Sequence, residues 1–261
     1  MMYKICAQTD QGLVRKNNED ALAFDAQTGL CLLADGMGGY KAGEVASCMA
    51  IAFLRRELAL WLLQAGNRAS TQALRRKMDA CVNDANHAIF SAAGANPNYA
   101  GMGTTLVAGV FLGSQLVLGH IGDSRCYRLR SHMLEQITKD HSMLQEQIDA
   151  GLITPEQAFI SPHRNLITRA LGVERKVVIE INEHCVKPGD VYLMCSDGLS
   201  DMVAPNAIAA VLSAASPLKE KAMTLIALAN RGGGRDNISV LLAQAAEGEP
   251  KRRLLSRIMG R

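Results

Sequence analysis

Features that define special structural classes are scarce in this sequence of 261 residues. Aromatic residues make up only 4% and there are 7 prolines, while 48% of the residues are apolar and 20% are charged. This composition excludes collagen-like, low-complexity and broadly disordered chains. The longest apolar stretch, residues 42–64, contains four charged residues, whereas a membrane span needs about 20 predominantly apolar ones. The N-terminal residues have no apolar segment of the kind found in secretory signals. We therefore expect a cytoplasmic protein without a transmembrane segment.

The cysteines form no pattern typical of a disulfide framework or a zinc site. There are 7 of them, an odd number, and none is part of a CxxC pair. Scattered cysteines in a protein of this kind behave as small buried apolar residues. We therefore predict that most of them are buried, reduced thiols.

The positive net charge of +3 comes from the C-terminal residues. Five of the 28 basic residues lie within 251–261, which leaves 23 basic and 25 acidic residues in the first 250. A nucleic-acid-binding domain would carry its basic patch on the folded surface, so no nucleic-acid partner is expected. We predict one folded domain over residues 1–246 and a basic tail over 247–261. The composition of the tail is typical of either a solvated terminus or a partner-docking helix.

Hydrophobic periodicity predicts an α+β fold. Helical spacing of apolar residues covers 44–63, 71–93, 205–214 and 218–230. Short β-rich runs cover 29–34, 104–111, 115–121, 126–129, 177–181, 190–195 and 238–242. Many of these runs are joined by turns rather than by helices, which favours antiparallel sheets and disfavours parallel winding. The predicted architecture is a layered sandwich of antiparallel sheets and helices.

Acidic residues recur at the ends of the predicted strands. Asp35, Asp123 and Asp197 each follow an apolar run and precede a glycine or a serine, which predicts a carboxylate on a tight turn. The other acidic residues beside predicted turns are Glu19, Asp20 and Asp236. Each one alone reads as an ordinary helix cap or turn residue. Gathered together, they would repel one another by up to ~4 kcal/mol per pair at 4 Å.

A divalent cation would relieve that repulsion. Carboxylate, carbonyl and water oxygens favour Mg²⁺ or Mn²⁺, and the absence of paired His or Cys ligands argues against zinc. Two ions are favoured over one, because an ion pair can lower the pKa of a shared water toward about 7. The cofactors predicted from the residues are therefore two Mn²⁺ or Mg²⁺ ions.

The acidic residues belong to a series of motifs that spans about residues 7–242. In chain order they are TDQGLVRKNNED, LLADGMGG, GMGTTLVAG, GHIGDSRCY, ITKDHS, NLITRALG, CSDGLSD and GGRDNIS. This series resembles the metal-dependent protein phosphatases of the PP2C (PPM) family, in its bacterial serine/threonine branch. The resemblance implies an α-β-β-α sandwich, with two antiparallel sheets flanked by helices and a metal site in a cleft at one end.

The resemblance also implies roles for individual residues. Asp35 would bridge both ions, and the carbonyl of Gly36 would bind the second. Either Glu19 or Asp20 would serve the second ion, directly or through water. The remaining implied residues are Asp197 and Asp236 as ligands of the first ion, Asp123 with a backbone group near Ser161 as ligands of a third, weaker ion, and Arg15 as the phosphate-binding arginine.

The implied reaction is hydrolysis of phosphoserine and phosphothreonine in proteins, by direct attack of a water or hydroxide that bridges the two ions. Met37 stands where eukaryotic relatives carry a candidate acid histidine, so the general acid is unassigned, and His141 is expected to have a structural role. The implied partners are phosphoprotein substrates and a cognate Ser/Thr kinase, and a monomer is expected. The alternative is a catalytically weak phosphatase-fold protein that binds phosphoproteins or acts as a scaffold. A metal nuclease is disfavoured by the absence of a basic surface.

Overall fold

The computed structural model describes residues 1–39, 42–154, 157 and 166–246. The strands, in chain order, are β1 (Met2–Asp10), β2 (Asp20–Asp25), β3 (Leu30–Met37), β4 (Gly103–Thr104), β5 (Leu106–Leu112), β6 (Gln115–Ile121), β7 (Arg125–Arg130), β8 (Met133–Gln136), β9 (Glu180–Cys185), β10 (Val191–Cys195) and β11 (Ile238–Ala246). The helices are α1 (Ala42–Ala65), α2 (Thr71–Ala95), α3 (Met143–Asp149), α4 (Asp197–Ser200), α5 (Pro205–Ser213) and α6 (Leu218–Arg231).

The strands form two antiparallel sheets that pack face to face. One sheet has the order β1-β11-β10-β7-β8, and the other has the order β2-β3-β5-β6-β9, with β4 paired to β3. One apolar layer fills the space between the sheets, and two further layers separate the sheets from their helices. Helices α1 and α2 cover the second sheet, while α5 and α6 cover the first. The predicted sandwich of two antiparallel sheets flanked by helices is confirmed.

Strand β3 illustrates how the sequence produces these layers. Because successive side chains of a strand point to opposite faces, Cys31 and Leu33 enter the layer between the sheets, while Leu32 and Ala34 pack against the helices. Both faces are buried, which is why this strand reads as a continuous apolar run. The next residue on the inner face is Asp35. The alternation therefore places its carboxylate at the end of the layer between the sheets.

The four predicted helices are confirmed, and the errors in strand assignment fall mainly on the edge strands. The sequence interpretation did not find β1 and β2, and its strand over 177–181 is displaced, because β9 runs from Glu180 to Cys185. These strands lie at the edges of their sheets and are mostly half-buried, so they lack a strong apolar pattern. The apolar segment before β9 instead packs into the helix-side core, where Ile179 is buried. Asp35 was also predicted on a turn, but it lies within β3.

Most of the cysteines are buried free thiols, as predicted. Cys31, Cys81, Cys126 and Cys195 are buried, whereas Cys48 and Cys185 are exposed. None of the helices within the described residues is long and apolar enough to cross a membrane. The predicted tail, residues 247–261, lies outside the described residues.

The core on the helix side of the second sheet provides a stability test. Leu58 in α1 is fully buried in the core between the second sheet and its helices, whereas Leu60 in the same helix is 52% exposed. We expect Leu58→Ala to lower the free energy of unfolding by about 2–5 kcal/mol, because it leaves a cavity. Leu60→Ala, with the same change in helix propensity, should cost below about 1 kcal/mol. Urea unfolding followed by circular dichroism measures both, and equal losses would contradict the packing described here.

Candidate metal centre

A cleft of about 240 Å³ opens at one end of the layer between the two sheets. Its lining contains seven of the eight residues that the sequence interpretation proposed as site residues, namely Arg15, Glu19, Asp35, Gly36, Asp123, Asp197 and Asp236. The eighth, Asp20, lies beside the cleft as the cross-strand partner of Asp35. Residues that are up to 221 positions apart in the chain therefore meet in one site.

Asp20 and Asp35 face each other directly across β2 and β3. Directly opposed side chains in an antiparallel pair have Cβ atoms about 4.5–5.5 Å apart, and like charges there destabilise the sheet. The hydroxyl of Ser196 donates a hydrogen bond of 2.8 Å to Oδ2 of Asp20. The pair therefore joins the second sheet to the segment that follows β10.

Two threonines hold the backbone of Asp35. The Thr104 hydroxyl donates to the Asp35 carbonyl at 2.9 Å, and the Asp35 N–H donates to Oγ1 of Thr105 at 3.0 Å. The Thr105 hydroxyl is also bonded to the hydroxyl of Ser124 at 2.7 Å. The sequence interpretation assigned no role to these threonines, although both belong to the GMGTT motif. They fix the position of Asp35 from the neighbouring strand.

The glycine that follows Asp35 is required by close packing. A Cβ atom at Gly36 would lie 2.2 Å from the carbonyl oxygen of Gly43 and 2.6 Å from that of Glu19. The Gly36 N–H donates to the Glu19 carbonyl at 3.2 Å, and the Glu19 carboxylate accepts a bond of 2.9 Å from the Asn17 amide. Gly36 and Glu19 are therefore neighbours, as their proposed shared ion requires.

Asp197 and Asp236 come from the other sheet. Asp197 is the first residue of α4 and directly follows Ser196 at the end of β10, while Asp236 precedes β11. The start of α4 packs against β11 so tightly that a Cβ at Gly198 would lie 2.1 Å from the Asn237 carbonyl oxygen. The two carboxylates are therefore held side by side by a contact that only glycine allows.

The buried Asn237 connects the N-terminal loop to this sheet. Its Nδ2 donates to the carbonyls of Gln11 and Asn17, both at 2.9 Å, and its Oδ1 accepts from the Glu19 N–H at 2.8 Å. Nothing in the sequence pattern assigned Asn237 this role, although it lies in the GGRDNIS motif. Its amide positions the loop that carries Arg15 and Glu19.

Arg15 lies at the rim of the cleft. Its Nη2 donates to Oδ2 of Asp236 at 2.6 Å, and its side chain is 55% exposed. The hydrogen bond to Asp236 raises the pKa of the guanidinium above its already high ordinary value. A permanently charged, planar group at the mouth of an acidic cleft suits the recognition of a phosphate.

Asp123 is held by a contact between its turn and His141. The Gly122 N–H donates to Nδ1 of the His141 ring at 3.2 Å, and the backbone N–H of His141 donates to the Gly122 carbonyl at 2.9 Å. A neighbouring acid, Asp140, is neutralised by a bidentate ion pair with Arg125, with a shortest distance of 2.6 Å. The structural role expected of His141 is consistent with this contact. Ser161 lies outside the described residues.

His141 also belongs to a second group of metal-ligand residue types. His120, His141 and Glu180 have ligand atoms within 4.8 Å of one another. However, Nδ1 of His141 accepts a backbone hydrogen bond, so in the neutral ring the proton is on Nε2, which faces Glu180 at 3.6 Å. Burial lowers the pKa of His141 to about 4, so the ring is neutral at pH 7. A protonated ring nitrogen does not bind a cation, and we do not assign a metal to this group.

The acids of the cleft destabilise one another. Burial, followed by the charge of Asp20, raises the pKa of Asp35 well above its ordinary value. Burial, followed by the charge of Asp123, does the same for the pKa of Asp197. The pKa values of Asp20 and Asp123 rise to about 6, again mainly through burial. The groups around the cleft therefore do not balance the negative charge that its ionised carboxylates would carry.

The donor set fits divalent cations. Oδ1 of Asp20 and Oδ1 of Asp197 are buried and receive no hydrogen bond from the described part of the chain. Buried carboxylate oxygens without partners are costly, and a cation would satisfy them. All the candidate ligands are oxygen atoms, which favour Mg²⁺ or Mn²⁺.

Comparison with known proteins agrees with this geometry. The family model described as Protein phosphatase 2C matches residues 13–229. The chain belongs to the protein phosphatase 2C family. It is 44% identical over 248 residues to the serine/threonine protein phosphatase PstP of Mycobacterium tuberculosis, an alignment that covers 95% of this chain and 46% of that protein. It therefore spans about half the length of that relative.

Two further alignments cover nearly the whole length of the protein or domain that they match. The chain is 37% identical over 243 residues to the serine/threonine phosphatase stp of Listeria monocytogenes, which covers 91% of this chain and 94% of that protein. A crystal structure of the PstP catalytic domain in complex with two manganese ions has a TM-score of 0.82 and 43% identity, covering 94% of this chain and 99% of that chain. A catalytic domain that is 43% identical to this chain thus binds two manganese ions in its crystal structure.

The raised pKa of Asp123 leads to a pH-dependence test in EDTA. The pKa of the Asp123 carboxyl group is about 6 in the folded protein, against 3.8 ordinarily. The folded protein therefore binds this proton more tightly than the unfolded chain does. The resulting stability is fully present below the ordinary pKa and is lost as pH rises through about 6. We therefore expect Asp123→Asn to stabilise the metal-free protein more at pH 7.5 than at pH 5. Thermal unfolding at both pH values measures this difference.

The comparison with the variant is necessary because His141, whose pKa is lowered to about 4, makes stability rise with pH and so opposes the effect of Asp123. The control is Asp84→Asn, at an exposed position of α2. If Asp123→Asn stabilised the protein equally at both pH values, folding would not raise the pKa of the Asp123 carboxyl group.

Proposed function

We propose that this chain is a divalent-metal-dependent phosphatase that hydrolyses phosphoserine and phosphothreonine in proteins. The observation that supports this most strongly is the cleft that gathers Asp35, Asp197 and Asp236, with unpartnered carboxylate oxygens, beneath the guanidinium of Arg15. The names of the relatives and the two manganese ions of the PstP domain support the same conclusion.

Two Mn²⁺ or Mg²⁺ ions would be held by the oxygen atoms of the cleft. Asp35 would be shared between them, Gly36 would contribute its carbonyl to one, and Asp197 and Asp236 would hold the other. Either Glu19 or Asp20 would serve the ion at Gly36, directly or through water. Asp123, which lines the same cleft, would contribute to a third, weaker site. When bound, such ions activate water and neutralise the charge of a phosphate.

The attacking group in this proposal is water. Among the described residues, the cleft lining contains no serine, cysteine or histidine, and its one threonine hydroxyl, of Thr105, is bonded to the Asp35 N–H and to Ser124. The water oxygen bonds to phosphorus, and the bond from phosphorus to the serine or threonine oxygen breaks. That oxygen takes a proton, and inorganic phosphate is released without a phosphoenzyme.

Arg15 holds the phosphate in this proposal. Its guanidinium lies within hydrogen-bond distance of the Asp236 carboxylate. A phosphate bound next to that carboxylate would therefore lie within reach of Arg15. Two parallel N–H groups can bind two phosphate oxygens at once and stabilise charge in the transition state. Met37 lines the same cleft, and its thioether has no proton to donate. The proton for the leaving oxygen therefore comes from outside the set of side chains assigned here.

The cellular setting is part of the proposal. A phosphoprotein phosphatase of this type would oppose a Ser/Thr kinase, and we propose that it acts as a cytoplasmic monomer. A scaffolding protein with the same fold is the second candidate. It is disfavoured because such a protein has no need to keep mutually repelling carboxylates in a buried cleft.

Removal of one proposed ligand tests the activity. We expect Asp197→Asn to lower kcat for a phosphothreonine peptide by about 10²-fold or more, since it removes a charge that holds the metal. EDTA should have the same effect on the unmodified chain. Phosphate release is the measurement, and Asp84→Asn is the matched control because it makes the same change on an exposed helix face. Undiminished turnover in EDTA would refute the metal-dependent reaction.

The role of Arg15 is tested by a substitution that keeps its charge. Arg15→Lys removes the planar pair of donors, so we expect kcat/KM for a phosphopeptide to fall about 10- to 100-fold. The variant should bind Mn²⁺ as tightly as the unmodified chain, which calorimetry would measure. Full activity in Arg15→Lys would mean that charge alone, or another residue, binds the phosphate.

A further inference from the structure

A second cavity, of about 630 Å³, opens next to the metal cleft. We call it the flanking groove and define it by six of its lining residues, Met37, Ile167, Arg169, Val173, Lys176 and Val178. Its volume lies within the range of about 300–1,000 Å³ that is usual for ligand pockets. The carboxylates of the metal cleft and Arg15 are not among its lining residues.

The flanking groove is continuous with the metal cleft. Met37 and Ile167 line both cavities, so they form the boundary between them. A phosphorylated residue that reaches the metal cleft brings its neighbours in the polypeptide with it. An extended chain advances about 3.3–3.6 Å per residue, so the residues next to the phosphorylated one lie within reach of the groove.

The groove exposes apolar side chains. Val178 is 72% exposed and Val173 is 51% exposed, while Ile167 and Met37 are half-buried. Clustered apolar side chains left in water, rimmed by polar residues, mark interaction sites. A single apolar side chain of a bound segment would find its contacts here.

The wall of the groove is preformed. The buried Asn86 donates from Nδ2 to the carbonyls of Glu174 and Arg175, at 3.0 and 3.3 Å, and its Oδ1 accepts from the Gly172 N–H at 2.8 Å. These bonds fix the turn that carries Val173. A preformed site loses less conformational entropy when it binds.

The side of the groove next to the metal cleft is closely packed. A Cβ at Gly103 would lie 2.7 Å from Cγ2 of Val173 and 2.9 Å from Cε of Met37. Val173 and Met37 therefore converge on the position where Gly103 has no side chain. The wall is thus packed directly onto the boundary of the metal cleft.

The charges of the groove favour an acidic partner. Arg169 and Lys176 line it together with one acid, Glu174. Neither basic side chain forms an ion pair with any residue in the described ranges 1–39, 42–154, 157 and 166–246. Unpaired basic side chains beside an apolar patch can receive a carboxylate of the partner.

We propose that the flanking groove binds the segment of the phosphoprotein next to the phosphorylated residue, with an apolar side chain on the valines and an acidic side chain at Arg169 and Lys176. This proposal rests on the proposed function, since it names the substrate class of the same site. The groove thereby selects phosphorylation sites that have an apolar neighbour and an acidic residue beyond it.

A peptide series tests the selectivity of the unmodified chain. Phosphothreonine peptides with a serine-glycine background carry one leucine, moved through the three positions on either side of the phosphothreonine. We expect leucine at one or two adjacent positions to raise kcat/KM about tenfold, as partial burial of that side chain would do. A glutamate farther along the same side should add about two- to threefold at low salt only. No positional preference would overturn the proposal.

Variants locate the preference in the groove. Val178→Asp should reduce the leucine effect to below about twofold, and Lys176→Glu should abolish the glutamate effect. Met223→Asp and Lys219→Glu are the matched controls on α6, where Met223 is 54% exposed and Lys219 is exposed. They should leave both effects intact. Each kcat/KM is divided by that for p-nitrophenyl phosphate, which has no flanking residues, so that loss of folding or metal is factored out.

Each outcome separates the two proposals. If the unmodified chain hydrolyses neither substrate, the proposed function fails. If it hydrolyses both but Val178→Asp retains the leucine preference, only the groove proposal fails.

Evidence for either of two other occupants of the flanking groove would also overturn the groove proposal. Sedimentation that shows a dimer lost in Val178→Asp would identify a second copy of the chain. A leucine preference that appears only after deletion of residues 247–261 would identify that segment.

Discussion

The repulsion among buried carboxylates at one end of the sandwich is the constraint around which the structure is built. Asp20 and Asp35 face each other across two strands, and Asp197 joins them from the opposite sheet. In the absence of a cation, burial and mutual repulsion favour protonation of these groups. A protein keeps such an arrangement when a ligand uses it, so this cost to stability points to metal binding and catalysis.

The contacts around the cleft hold these mutually repelling carboxylates in place. The site residues are held mainly through their backbones, by Thr104 and Thr105 at Asp35 and by Asn237 at the N-terminal loop. Bonds to the backbone leave the carboxylate oxygens free to bind another group. The same separation holds at Asp123, where His141 contacts the turn and not the carboxylate. The site is therefore preorganised while Oδ1 of Asp20 and Oδ1 of Asp197 receive no hydrogen bond from the described residues and stay available to a ligand.

The metal cleft and the flanking groove divide the recognition of a substrate between them. The cleft is acidic, and in the proposed function Arg15 and bound cations would recognise there the phosphate group that all phosphoproteins share. The groove is apolar and basic, and it contacts what differs between phosphoproteins. Met37 and Ile167 separate the two environments. Catalysis and selectivity can therefore be altered independently, because they depend on different side chains.

Much of this was predictable from the sequence because it depends on local patterns. The helices, the central strands and the acidic residues at strand ends follow from periodicity and from short motifs, and the order of those motifs indicated the family. The half-exposed edge strands β1, β2 and β9 carry only a weak pattern, which is why they were missed or displaced. Only the tertiary structure could decide which atoms meet. The roles of Asn237 and Thr105, the clash that excludes a side chain at Gly36, and the groove beside Met37 depend on contacts between segments that are far apart in the chain, and no local pattern records the distances between them.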